Sequence, residues 1–169
     1  MRLKPVEEIM RASFVIGGCV ALVPLLVGAA SSDAERGRYL VQIGGCNDCH
    51  TAGYLESAGR VPEPQWLTGG RVGYKGPWGI TYAPNLRLLL QGMSEDEWMQ
   101  RAGKPVRPPM PWFNLKAMTK SDRRAVYHYI HNLGPAGTPA PSYVPPGGTA
   151  DAPYVDLVPE EGSKKGRAQ

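Results

Sequence analysis

Cys46, Cys49 and His50 stand at i, i+3 and i+4 of one short run, Cys46-Asn47-Asp48-Cys49-His50. On a helix that spacing gathers the three side chains within about 100° of arc. Two thiols and an imidazole on one face suit a flat macrocycle with a metal at its centre. The thiols would form thioethers to its edge, and a ring nitrogen of the imidazole would reach the metal. C-x-x-C followed directly by His is a narrow pattern, and covalent haem attachment is the chemistry it predicts.

Competing uses fit less well. A thioredoxin-type C-x-x-C expects a strand–helix–strand setting, whereas Arg36 to Val41 reads as a short amphipathic helix. A zinc site needs four ligands; His128 and His131 would have to reach it from long range, and their spacing is tighter than the usual pair. A disulfide closed across two residues is strained, and such bonds tend to be catalytic rather than structural.

One histidine leaves the opposite axial position to be filled, and Met93, Met99, Met110, Met118, His128 and His131 are the candidates. Met110 stands apart because Pro108, Pro109 and Pro111 surround it. Proline fixes φ and removes a backbone donor, so a soft thioether is held on a stiff loop. A rigid ligand loop keeps the metal's geometry similar in both oxidation states, and a methionine sulphur raises the potential relative to a second histidine. Met93 and Met99 flank or lie within a helix pattern, where methionine usually packs. Met118, just before the last helix, is the runner-up, and His128 and His131 read as partly exposed or hydrogen-bonded helix residues.

Three helix signals surround these groups. Asp33 can cap a first helix that leads into the attachment run, ending near Gly44 and Gly45 or continuing through Cys49. Ser94 with Glu97 is a capping-box pair opening a helix that stops before Gly103 and Pro105. Thr119 with Asp122 opens another, through Ala125, Val126, Tyr129, Ile130 and Leu133, closed by Gly134 and Pro135. Loops rich in Gly and Pro lie between, and no stretch shows sustained period-2 alternation. The expectation is therefore an all-α domain over residues 33–134, ordered around its cofactor. Seven prolines follow Gly134, then a charged end from Glu160 to Arg167. Residues 135–169 read as an extended, polyproline-like tail. Tyr143, Val144, Tyr154, Val155, Leu157 and Val158 could strap it to the domain, and the alternative is a free linker.

The chain has 169 residues and a formal charge of +4, enough for one domain plus extensions. Residues 1–30 read as an export segment: Arg2, Lys4 and Arg11 precede an apolar stretch from Phe14 to Ala30, with small residues from Gly28 to Ser31 where a peptidase could cut. Left uncleaved, residues 12–30 would associate the protein with a membrane, although the stretch is short for a span and contains Pro24. Ile16-Gly17-Gly18-Cys19 resembles a lipoprotein box, but the apolar run before Cys19 is too brief. Cleavage near Ala30 would leave the mature protein with Cys46 and Cys49 alone. Export to the periplasm agrees with covalent haem attachment, which bacteria carry out outside the cytoplasm.

With Cys46 to His50, Tyr82-Ala83-Pro84-Asn85 and Pro108-Pro109-Met110-Pro111-Trp112-Phe113, the region from Asp33 to Gly134 resembles the bacterial class I monohaem cytochromes c. The resemblance implies a small all-α bundle around one covalent haem c, with His50 and Met110 as iron ligands. It implies that the first and last helices cross, bringing Gly37 and Tyr39 against Tyr127 and Ile130. A proline carbonyl about twelve residues after the histidine usually accepts from its ring N–H in this family. Pro62 has that separation, whereas Pro64 better fits the following Leu67 and Gly69; such an acceptor would orient His50 and raise its basicity. Trp78, Tyr82 and Asn85 are candidate donors to the haem propionates, with plain packing as the alternative.

The expected function is one-electron transfer between a periplasmic dehydrogenase and a respiratory acceptor, without catalysis by this chain. The sequence offers no convincing acid and base pair near the ligands. One alternative is a fixed haem subunit of a larger oxidoreductase, docked through its tail. Another is a peroxidatic or gas-binding protein in which the sixth position opens. Arg101, Lys104, Arg107, Lys116, Lys120, Arg123 and Arg124 bracket Met110 against the single acid Asp122. As a ring around the exposed edge they would steer an acidic redox partner; otherwise they form an ordinary solvated face. Basic residues do not alternate with aromatics, so nucleic acid is not an expected partner.

Overall fold

The computed structural model describes residues 24–159. Arg2, Lys4, Arg11 and Cys19 of the segment expected to direct export, and the charged end from Glu160, lie outside the described residues. Within them the order is α1 (Pro24–Ile43), α2 (Cys46–His50), a 3-10 turn (Glu63–Gln65), β1 (Gly73–Gly76), β2 (Gly79–Thr81), α3 (Leu86–Gln91), α4 (Glu95–Arg101), α5 (Trp112–Ala117), α6 (Lys120–Asn132) and β3 (Tyr154–Asp156). No helix among the described residues is long and apolar enough to cross a membrane.

The frame is the crossing of α1 and α6. Gly37 makes it close: a Cβ there would collide with the Ala125 carbonyl oxygen and stand 2.6 Å from Tyr129 Cβ. Around the crossing Val41, Leu67, Leu90 and Ile130 are completely buried, with Leu40, Val126 and Trp98 nearly so. Tyr39, expected in this seam, is instead half exposed beneath the Arg36 guanidinium. Glu63 ties three elements together, accepting from Arg38 Nε at 2.9 Å and from Tyr129 Oη at 2.8 Å. Arg38 also lies over the Trp66 ring, 5.1 Å from its centroid.

The helix ends follow local chemistry in α4 and α6. Ser94 and Glu97 form a reciprocal capping box, and Thr119 Oγ1 accepts from Asp122 N at 3.1 Å. Gly134, at φ +71°, turns the chain out of α6. The first helix departs from expectation. Asp33 lies in its interior and caps nothing, because the good helix formers Leu25, Leu26, Ala29 and Ala30 carry the helix back to Pro24. Its other end is set by Gly45, whose left-handed φ of +68° breaks α1 from α2 and gives the cysteine run a short helix of its own.

The all-α expectation needs correcting, because the chain also holds a small three-stranded sheet in the order β2-β1-β3. β1 and β2 form an antiparallel hairpin, pairing Tyr74 with Thr81, and β3 joins β1 in parallel, pairing Tyr74 with Val155. Strands of three or four residues are too short to show a period-2 pattern, and β3 comes from the far end of the chain. The described part of the tail is a strap rather than a free linker. Asn85 Nδ2 donates to the carbonyls of Ala136 and Thr138, Ile80 and Val144 exchange two backbone bonds, and Tyr82 Oη donates to the Ala152 carbonyl at 2.8 Å. Hydrogen bonds from backbone and side chains hold it rather than burial of its end, since Tyr154, Val155, Leu157 and Val158 remain exposed.

Two outcomes test this frame. Gly37→Ala gains helix propensity but overpacks the crossing, and should lower stability by about 2 kcal/mol, read as a shift in the urea midpoint. Burial alone would raise the Glu63 carboxyl; hydrogen bonds from Tyr129 and Arg38, with the Arg38 charge, outweigh it and leave the carboxyl below its ordinary value. A lowered folded-state value means that the unfolded chain binds the proton more readily. The stabilisation is therefore complete above the ordinary glutamate value of 4.5 and is lost as pH falls through the folded value. Glu63→Gln should flatten the acid limb of stability against pH, and an unchanged limb would show that the carboxylate contributes nothing there.

Candidate functional site

α2 delivers Cys46, Cys49 and His50 to one wall of a cavity of about 810 Å³. The rest of the lining includes Leu86, Leu89, Trp98, Val126 and Ile130, and Met110 with its neighbours Pro109 and Pro111. Its volume lies within the roughly 300–1,000 Å³ typical of ligand and cofactor pockets.

The turn after the cysteine run is locked by buried polar groups. Asn47 Oδ1 accepts from Thr51 Oγ1 at 2.7 Å, and Thr51 Oγ1 accepts from Leu67 N at 2.8 Å. Gly69 N donates to the His50 carbonyl and Leu86 N to the Leu67 carbonyl, so the segment around Pro84 is drawn beneath the histidine. His50 is buried, and its Nδ1 donates to the Pro84 carbonyl at 2.8 Å. A carbonyl can only accept, so that bond places the proton on Nδ1 and leaves Nε2 with a free lone pair. Burial lowers the His50 pKa from its ordinary value while the Pro84 carbonyl opposes the shift, and the ring is neutral at pH 7.

Both thiols are free. Burial, reinforced by Asp48, pushes Cys46 up to about 11, so it is held protonated at neutral pH. Cys49 Sγ accepts from Tyr74 Oη at 3.4 Å, and burial followed by that bond raises the Tyr74 phenol.

Sequence-predicted groups separate clearly. Cys46, Cys49, His50 and Met110 share the cavity, with Met118 also on its lining. Met93 and Met99 pack against the core. His128 faces Glu95 at 3.1 Å, and His131 stacks on Tyr127 at 5.4 Å between centroids. Neither Pro62 nor Pro64 serves His50, which corrects the expectation from spacing. The Pro62 carbonyl accepts from Gln65 N in the 3-10 turn, and that of Pro64 accepts from Arg87. The acceptor is Pro84, of the Tyr-Ala-Pro-Asn segment, and only the folded chain reveals it, because it lies 34 residues beyond the histidine.

The proposed propionate donors are committed elsewhere. Trp78 Nε1 donates to the Tyr74 carbonyl, Tyr82 Oη to Ala152, and Asn85 caps α3 while holding the tail. Of the three, only Tyr82 lines the cavity. Two polar groups that sequence reasoning missed do line it, Tyr74 and Thr81, and the Thr81 hydroxyl is buried without a partner. No sequence signal marks a lone threonine. At the mouth stand Arg101, Lys104 and Arg107. Two free thiols, a neutral imidazole, an orphaned hydroxyl and cationic groups around an apolar hollow fit a metalloporphyrin with carboxylate side arms.

No family model matches the chain, and no solved structure does. Over 150 residues, 82% of this chain, it is 27% identical to the cytochrome c subunit of alcohol dehydrogenase (quinone) from Gluconacetobacter polyoxogenes. The corresponding subunit from Komagataeibacter europaeus gives the same figures. The chain spans 29% of the length of these relatives. The similarity supports a c-type cytochrome.

Proposed function

We propose that this chain is an exported, periplasmic one-electron carrier that holds a single haem c, bonded through Cys46 and Cys49 and ligated by His50 and Met110, and performs no catalysis of its own. The observation that carries this reading is the convergence of those four side chains on one cavity, with His50 already in the tautomer that presents Nε2. When bound, the haem supplies a ferric–ferrous couple.

The protein's own groups then have distinct tasks. Pro84 orients the imidazole and increases its basicity through the Nδ1 hydrogen bond. Leu86, Leu89, Trp98, Val126 and Ile130 keep water from the metal and lower the local dielectric, a lever on potential. The prolines around Met110 restrain the sulphur. Thr81, whose buried hydroxyl has no partner in the protein, offers it to a carboxylate arm within the cavity.

Electrons would leave by the mouth, where Arg101, Lys104 and Arg107 line the cavity together with the exposed apolar side chain Val106. An acidic redox partner suits that surface. Because the relatives are subunits of a dehydrogenase, a second reading has this chain working as the haem subunit of such a complex. Co-purification with a catalytic chain distinguishes it from a freely diffusing carrier.

In a host with working haem ligation machinery, the wild-type product should stay coloured through a denaturing gel and show a low-spin c-type α band when reduced. A colourless product would overturn the proposal. Met110→Ala should abolish the sulphur-to-iron charge-transfer absorption of the oxidised form. It should also lower the potential by on the order of 100 mV, a small part of the roughly 0.8 V that axial ligation spans. Reduction by an acidic redox protein should slow as ionic strength rises, and a flat profile would count against steering by the cationic mouth.

A further inference from the structure

The loop that carries Met110 has little of its own to hold it. Four of the seven residues from 105 to 111 are prolines and cannot donate. Among the described residues, none of the remaining N–H groups, on Val106, Arg107 and Met110, donates a backbone hydrogen bond. The Met110 carbonyl accepts only from nearby Trp112 N. Prolines stiffen such a loop internally, yet they do not fix where it sits.

The tail supplies the missing tether. Val144 is locked to Ile80 by bonds of 2.8 and 3.0 Å. This approach is so close that a Cβ on Gly79, at φ +95°, would strike the Val144 carbonyl. Beside it, Tyr143 Oη donates to the Trp78 carbonyl at 2.7 Å, which fixes the ring on the cavity rim. Onto that ring folds Arg107, three residues before Met110, its guanidinium carbon 3.8 Å from the centroid. The other cation–ring pairs among the described residues stand at 5.1 to 6.0 Å. Both Tyr143 and Arg107 line the cavity that Met110 shares with His50.

We infer that Tyr143 is a positioning residue: stacked on Arg107, it latches the Met110 loop to the C-terminal strap and so keeps the sixth coordination position closed. This rests on the proposed ligation by Met110. The consequence is a strap that is more than a structural belt, since loosening it gives an outside ligand access to the metal without touching either axial residue.

The test is competition by imidazole against the native sixth ligand in the oxidised holoprotein, followed by loss of the sulphur-to-iron absorption. A cation–π contact in a partly desolvated site shifts an equilibrium by about 2- to 30-fold. Tyr143→Leu should therefore raise imidazole affinity by that factor. Arg107→Gln, a change at an exposed residue, should do the same. Tyr143→Phe keeps the ring and loses only the Trp78 bond, so its increase should be smaller. The double variant Arg107→Gln/Tyr143→Leu should bind no more tightly than the stronger single variant, because both remove one contact. Unchanged affinity in both single variants, or a double effect equal to their product, overturns the latch. Met110→Ala separates the two readings. If it raises imidazole affinity strongly while Tyr143→Leu does not, the latch alone fails; if it raises nothing, the ligand assignment fails and takes the latch with it.

Discussion

The close crossing of α1 and α6 at Gly37 is the constraint from which the rest of the structure follows. A domain of this size has little apolar surface to spare, and here part of it lines a cavity of about 810 Å³ rather than packing on itself. Two helices that touch backbone to side chain, with Ala125 and Tyr129 against the missing Cβ, give a rigid wall that needs no filling on that side. Fully buried Val41 and Ile130 complete the seam, and Glu63 clamps Arg38 of α1 and Tyr129 of α6 to the intervening loop. Remove the close contact and the cavity loses the frame that keeps it open.

From this wall the site is assembled by backbone hydrogen bonds more than by side-chain packing. Thr51, Leu67 and Gly69 pass a continuous set of bonds from the end of α2 to the segment that carries Pro84. The result is an imidazole whose proton and orientation are set by the Pro84 carbonyl and whose neutrality is set by burial. Electrostatics divide the cavity in the same sense. The imidazole in its lining is buried and neutral, while Arg101, Lys104 and Arg107 at the mouth are exposed and cationic, so negative groups are favoured toward solvent.

The tail joins both halves of the design. It adds β3 to the hairpin, is gripped by Asn85 immediately after Pro84, and sets Tyr143 beside Arg107 at the cavity rim. One extended segment thereby touches the histidine side through Asn85 and the methionine side through Arg107. An α-helix could not do this, because its backbone groups are consumed internally, whereas an extended chain offers them to two neighbours.

How much of this was legible in the sequence depended on the range of the interaction. Cys46, Cys49 and His50 were readable because their geometry is set by one helical turn, and the caps at Ser94 and Thr119 because each is closed within three residues. Met110 stood out through its proline neighbours, again a local signal. Asp33 misled because a capping residue means something only where a helix begins, and the stretch before it was already helical. The sheet was invisible for another reason: its strands are too short for periodicity, and β3 finds β1 from 81 residues away. The acceptor for His50, the true lining hydroxyls of Tyr74 and Thr81, and the Tyr143–Arg107 stack are likewise contacts between distant segments. By itself the sequence determined which groups can do chemistry and where individual helices start and stop, since bonds along a few residues decide those. The tertiary structure alone decided which carbonyl meets the imidazole, which hydroxyls face the hollow and what the tail holds, because those follow from how a long chain closes on itself.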